Sequence, residues 1–231
     1  MKRIAISIIA SLMLLSGCQV TEDLSISGSG GQSTTDIHVE QFFIDVLNDF
    51  AEFLPEDDSS IMESAIDSYA SALDRAEATG GVSWEDLGGN RYTVSFDFTS
   101  LDDLLEEMGA EGQSLFALTD SSMSFYLDIN SYAELKELVP FLADPNFEVY
   151  GPEYNQGMSE ADYLDMIYFL LGEDGPDAVS NGTVEIRISV PGTITETSGC
   201  EAVSDSAAIF RFPLISFLLL NDPLSFSISW E

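Results

Sequence analysis

Once the carboxylates are set aside, of the residue types most often used as nucleophile, general base or metal ligand, the sequence has two cysteines, Cys18 and Cys200, and one histidine, His38. Cys18 follows Leu15, Ser16 and Gly17. A potential thiolate nucleophile therefore stands directly behind two low-bulk residues on a backbone that can run extended. Cys200 has only Gly199 and Glu201 beside it, with no base or positive charge to lower a thiol pKa, so a structural, inert thiol is expected. His38 sits between Ile37 and Val39 in a strand pattern that turns it to the polar face, and a single histidine cannot build a multi-histidine metal site. The sequence holds no Gly-x-Ser-x-Gly elbow, no phosphate-binding loop of the P-loop type and no His-Glu-x-x-His pair. With 41 acidic residues, adjacent pairs such as Asp57 and Asp58, Asp102 and Asp103, or Glu106 and Glu107 arise by chance, and nothing singles one out as a hydrolytic pair. The oxygen-rich turns at 173–177 (EDGPD) and 144–146 (DPN) lack the alternating ligand rhythm of a calcium loop. The expectation is a non-enzymatic chain with no catalytic residue, no cofactor and no specific metal site, its acids screened loosely by cations.

The segment ahead of Cys18 gives that thiol its meaning. Lys2 and Arg3 are followed by an uncharged apolar stretch over residues 4–15. At about 12 residues this is short of the roughly 20 that span a bilayer, and it has the layout of an export signal. Leu15-Ser16-Gly17-Cys18 resembles the lipobox of bacterial lipoproteins: an aliphatic residue, two small residues, then the cysteine. The resemblance implies cleavage before Cys18, diacylglycerol on its sulfur, and attachment to a membrane by the acyl chains. Gln19 follows where the family's sorting rule uses Asp to hold a protein at the inner membrane, so the outer membrane is expected in a two-membrane cell.

Residues 1–17 are therefore expected to be the signal peptide, 18–35 the lipidated N-terminus with a first short strand and a tether or hairpin turn, and 36–231 one domain with a β-rich part at 182–231. Removing Lys2 and Arg3 takes the net charge from −34 to −36 on the mature chain. Its remaining cations are Arg75, Arg91, Lys136, Arg187 and Arg211. Such a surface repels nucleic acid and anionic headgroups and must be screened by salt. The scarcity of lysine also resembles proteins from salty habitats. With Cys18 committed to lipid, Cys200 has no intrachain partner, so the core must hold by burial alone.

The elements that must position any site show in the periodicities. Residues 42–54 and 61–76 carry apolar positions at helical spacing, the first stopped by Pro55, the second opened by Ser60 with Glu63 and stopped at Gly80-Gly81. Ser100 with Asp103, Ser131 with Glu134 and Ser159 with Asp162 open three more helices. Tyr92, Val94, Phe96 and Phe98 alternate after Gly88-Gly89-Asn90, as do Met123, Phe125, Leu127 and Ile129 after a turn at 119–121. Strands also follow at 184–190 and 208–212, and Leu224, Phe226, Ile228 and Trp230 share one face of the last. Strands in hairpins with helices inserted between them predict an α+β fold, mainly an antiparallel sheet with several amphipathic helices packed on one face.

Two apolar features are candidates to line a ligand. Residues 214–220 (LISFLLL) are apolar on both faces, with Leu214, Phe217, Leu218 and Leu220 able to line a lipid-sized cavity, to press into a bilayer, or to lie buried on both sides. The aromatic set Phe147, Tyr150, Tyr154, Tyr163, Tyr168 and Phe169 would suit a pocket rim for sugars or headgroups, or ordinary packing of helix on sheet.

Residues 184–199 (VEIRISVPGTITETSG), 204–214 (SDSAAIFRFPL) and 91–103 (RYTVSFDFTSLDD) resemble the LppM-like lipoprotein domain: a strand into Pro-Gly, a Thr step, a Gly turn and a further strand. Ser198 stands where that family usually has Asn, and Phe210 where it has Trp. The resemblance implies a membrane-anchored α+β domain that handles lipids or glycolipids, and no catalytic residues. The first expectation is thus a tethered binding module for a lipid or glycolipid. The alternatives are a structural lipoprotein docking a basic protein partner in the envelope, and a hydrolase of envelope polymers.

Overall fold

A computed structural model describes residues 19–42, 44, 61–143 and 148–231. The chain is a mixed α+β fold, mostly antiparallel. Its strands form two sheets rather than one. The larger has seven strands in the order β3-β4-β2-β1-β7-β10-β9: β1 (Gln19–Ser27), β2 (Gly30–His38), β3 (Thr79–Asp86), β4 (Arg91–Phe98), β7 (Thr183–Ser189), β9 (Glu201–Ala202) and β10 (Ala207–Pro213). The smaller runs β5-β6-β11-β8: β5 (Phe116–Leu118), β6 (Ser122–Leu127), β8 (Ile194–Ser198) and β11 (Leu224–Trp230). One pairing, β1 with β7, is parallel, as a link of that sequence separation allows.

The strand at the centre of the larger sheet is β1, with β2 beside it. Residues 27–35, expected as a tether or hairpin turn, are the end of β1, the turn Gly28-Ser29 and most of β2, so 19–38 form a β-hairpin. Two of the glycines that gave this stretch its linker composition, Gly30 and Gly31, serve close packing, since a Cβ on Gly30 would stand 2.3 Å from the Phe98 carbonyl oxygen, and Gly28 takes the positive φ (66°) of the turn.

Alternation then sorts the sheet. On the inner face, opposed across the strands, lie Leu24, Ser33, Phe96, Ile188 and Ala208 in one row and Glu22, Thr35, Val94, Ile186 and Phe210 in the next. The outer face carries Asp23, Asp36, Asp97, Glu185, Arg187 and Arg211. A half-buried face of this kind is what two-residue periodicity specifies. The inner face of the smaller sheet packs on it, with Phe226 and Phe125 at 5.2 and 6.1 Å (ring centroids) from Phe210.

Helices complete the cover. Helix α1 (Ile61–Arg75) adds Met62, Ile66 and Leu73 to the core, α2 (Leu101–Glu107) adds Leu101, Leu104 and Leu105, and α3 (Tyr132–Leu138) adds Tyr132 and Leu138. Ser100 caps α2 by accepting from the Asp103 amide at 3.2 Å, and Ser159 caps its helix in the same way from Asp162. At α3 the expected box does not form. Ser131 donates its amide to Asp128 instead, and Glu134 accepts from Ser114. Gly80 and Gly81 do not end α1 either; the helix stops at Arg75 and both glycines lie in β3, at a shift in its register. The helical expectation for 42–54, the cap residue Ser60, and Phe147 lie mainly or wholly outside the described residues.

A second, smaller apolar cluster sits at the end of the large sheet where β1 begins. It is built by α4 (Pro152–Asn155), α5 (Glu160–Leu171), α6 (Gly175–Asn181) and α7 (Leu214–Leu219). Its centre is Tyr163, Ile167, Val179, Ile215 and Leu219. The connections fix its place: α6 runs into β7 through Gly182, whose carbonyl accepts from the Leu214 amide at 2.8 Å, and α7 follows β10 directly.

Candidate functional site

Residues 214–220, whose apolar run gave no helix signal, form α7 and its left-handed end at Leu220 (φ 44°). A helix with Ile215 and Leu219 in the smaller cluster and Leu220 in the main core needs apolar groups all round, which explains the absence of alternation. Leu214 and Leu218 are half-buried, and Phe217 packs 6.1 Å (ring centroids) from Tyr132. The structure therefore uses this segment to join two clusters. Of the tyrosines, Tyr163 is fully buried and donates its hydroxyl to the Tyr150 carbonyl at 2.8 Å. Tyr150 is half-buried and Tyr154 is exposed. These three do not share one surface. Burial raises the pKa of both Tyr163 and Tyr150, so neither phenol ionises in ordinary conditions.

A different group of residues combines charge, hydroxyls and apolar surface. In a seven-stranded sheet the middle strands should be the most covered. At the Gln19 end of this one they are not. Val20, Glu22, Thr35, Ile37, Val184 and Ile186, all on the inner face of β1, β2 and β7, keep partial solvent contact. On either side, Tyr92 and Val94 of β4 and Phe210 and Phe212 of β10 are buried. The sheet centre is therefore less completely covered at this end than the strands that flank it.

One charge lies among these half-buried residues. Glu22 accepts the Ser33 hydroxyl on Oε1 and the Thr35 hydroxyl on Oε2, each at 2.5 Å. Burial of the carboxyl raises its pKa most. The two hydrogen bonds pull it down, and Asp23 and Asp36 push it up again, leaving it raised overall. Tyr69 of α1 is raised too, first by burial and then by the nearby Glu22 charge. A carboxylate flanked by two hydroxyls and a tyrosine, with apolar side chains around it, can accept hydrogen bonds from a polyhydroxyl group while those side chains take hydrocarbon.

The sequence carried a signal for Glu22 that composition hid. Val20, Glu22, Leu24 and Ile26 alternate, so Glu22 breaks an apolar face, but Gly-Ser punctuation downstream gave the whole segment the look of a tether.

Elsewhere, Glu185 on the outer face binds Arg187 (2.6 Å) and Arg211 (2.7 Å from Nε). Burial alone would raise its pKa, yet these two cations hold it below its ordinary value. His38 pairs with Gln19 and Arg91 at the strand ends. Burial pushes the Cys200 thiol up, away from the thiolate. Among the described residues no group of three or more His, Cys, Asp or Glu is placed to hold a metal ion, and no helix is long and apolar enough to cross a membrane.

No family model matches the sequence, and no curated protein matches it. Among solved structures, the chain is similar to the folded domain of LppM from Mycobacterium tuberculosis, determined by NMR. Identity is 11%, the match covers 94% of this chain and 91% of that one, and the TM-score is 0.38. A likeness at that level adds nothing to the reading of the site, which rests on this chain's own residues.

Proposed function

We propose that the chain is an envelope lipoprotein, anchored by acyl chains on Cys18, that binds a lipid or glycolipid non-catalytically on the half-buried inner face of β1, β2 and β7. The observation that carries this reading is the partial exposure of Val20, Ile37, Val184 and Ile186 at the sheet centre around the Glu22 carboxylate. Leaving apolar surface uncovered where neighbouring strands are buried forgoes about 25 cal/mol per Å², which a bound acyl chain would recover. Glu22, Ser33, Thr35 and Tyr69 supply acceptors and donors for a hydroxylated headgroup. The lipobox pattern and export signal ahead of Gln19 support the anchor, and support an outer-membrane location in a two-membrane cell.

Native mass spectrometry of the acylated protein taken from its own membranes tests the reading. One lipid per chain is expected. Ile186→Trp, which covers apolar surface beside Glu22, should release that lipid with little change in melting temperature. Repeatedly lipid-free protein, or lipid retained by the Trp variant, overturns this face as the site. A single stoichiometric protein partner and no lipid would favour the docking reading instead.

A further inference from the structure

Helix α5 changes character halfway along. Residues 160–165 (EADYLD) carry Glu160, Asp162 and Asp165, whereas 166–171 (MIYFLL) are apolar without a break. A helix that packs on one side needs only an apolar stripe. Tyr163 and Ile167 are that stripe, 0% and 1% exposed, with Leu164 and Leu171 at its margins. Phe169 lies roughly 200° around the helix from Ile167 at about 100° per residue, on the far side. It is 86% exposed, with Tyr168 at 57% and Leu170 at 44%. Single exposed hydrophobic residues are ordinary, whereas Tyr168, Phe169 and Leu170 together make the whole outward half of the last helical turn apolar.

The position of this helix limits what can cover it. Helix α5 packs on α6, which passes through Gly182 into β7, and Thr183 of β7 stands in register with Gln19. Cys18 is bonded directly to Gln19, one Cα step of about 3.8 Å further on. Pro213, which pairs with Thr183, leads into α7 of the same cluster. The exposed patch and the attachment point of the acyl chains thus belong to the same end of the sheet.

We infer that Tyr168, Phe169 and Leu170 form a bilayer-contacting patch that seats the domain beside its own lipid anchor. This rests on the acylation of Cys18 proposed above. Tyrosine, with an apolar body and a polar tip, suits the headgroup level, and phenylalanine and leucine suit the acyl boundary. Asp162, Asp165, Glu173, Asp174 and Asp177 flank the patch in sequence. A second copy of a chain of this charge is repelled, and anionic headgroups give no attraction, so contact is by apolar insertion. The patch fixes orientation; the acyl chains retain the protein.

The test uses the full acylated chain with Cys200→Ser, so that Leu170→Cys supplies the one free thiol for a nitroxide label; Cys18 is consumed as its thioether. A control carries the label through Tyr126→Cys on β6, 46% exposed in the wild type. In phosphatidylcholine vesicles, the ratio of oxygen to water-soluble nickel-chelate collisions should be several-fold higher at 170 than at 126. Adding Phe169→Ser should bring it down toward the control. Equal ratios at 170 and 126, in protein whose intact mass carries the acyl chains, overturn the patch and leave the anchor standing. A mass without acyl chains overturns the anchor, and this inference with it.

Discussion

Two carboxylates on opposite faces of one sheet are set to respond to pH with opposite signs. Glu185, held by Arg187 and Arg211, has its pKa lowered, so its contribution to stability is present above the unfolded value and lost as pH falls. Glu22 has its pKa raised, chiefly by burial, so the fold favours its protonated form. Its contribution is full below the unfolded value of about 4.3 and is lost as pH rises through the folded value. At neutral pH Glu22 is therefore a cost, of a kind tolerated at binding sites. Glu22→Gln keeps two hydrogen-bonding atoms for Ser33 and Thr35 and removes the charge. It should melt roughly 2–4 °C above wild type at pH 7, for a gain of about 1 kcal/mol. The two curves should converge as pH falls below the unfolded value of about 4.3, since the fold favours the protonated form; a variant that melts lower than wild type at pH 7 would show that the ionised carboxylate stabilises the fold. On the proposed lipid-binding reading, the same substitution should weaken binding of a lipid with a hydroxylated headgroup more than of one without, which headgroup competition in the native mass spectra reads directly.

At the scale of elements, Gly182 joins the helical cluster to the sheet. An added Cβ would meet the Leu214 Cβ at 2.9 Å and Cδ2 at 2.8 Å, and the first of these cannot swing away. Gly182→Ala should cost about 1–3 kcal/mol as an overpacked contact, or roughly 3–10 °C in melting temperature. Gly80→Ala, where nothing lies within 4 Å, is the control and should leave the melt unchanged or slightly higher. An equal response at both positions would mean that the α6–α7 contact is not tight. The same elements show what the sequence made legible. Strands such as β4 and β11 announced themselves because an exposed outer face forces strict alternation. The caps Ser100 and Ser159 did so because an orphan amide needs a local oxygen. Helix α7 was hidden because a six-residue helix between two apolar clusters has no polar face to reveal its period. The half-buried group around Glu22 was hidden because it depends on which strand lies at the sheet centre, a non-local fact that placed a Gly-Ser-rich segment in the middle of the larger sheet. Glu22 was readable only once β1 was known to be a strand with an inner face.

At the scale of the whole molecule the decisive quantity is charge. Forty-one acids face seven bases, so the chain carries −34, and the proposed loss of Lys2 and Arg3 would take it to −36. Lys136 contacts Glu148 and Glu153, and Arg187 and Arg211 both contact Glu185. Three cations on three carboxylates offset little of an excess of that size, and exposed pairs contribute only about 0–1 kcal/mol each. Self-repulsion therefore outweighs attraction, and screening it should stabilise the fold. The screening length falls from about 30 Å at 0.01 M salt to about 10 Å at 0.1 M and 3 Å at 1 M, so much of the gain belongs below about 0.2 M. The melting temperature should rise steeply over that range and flatten above it; a flat curve throughout would mean the charges are too well separated to matter. The nature of the cation separates two causes. Loose screening depends on ionic strength, so calcium chloride and sodium chloride matched in ionic strength should give similar melts, calcium modestly ahead for its double charge. A specific site would instead saturate at micromolar to millimolar calcium while sodium at the same ionic strength did nothing. Loose screening of an excess this large predicts the smooth, unsaturated rise. Stability would then track the ionic strength of the surrounding medium.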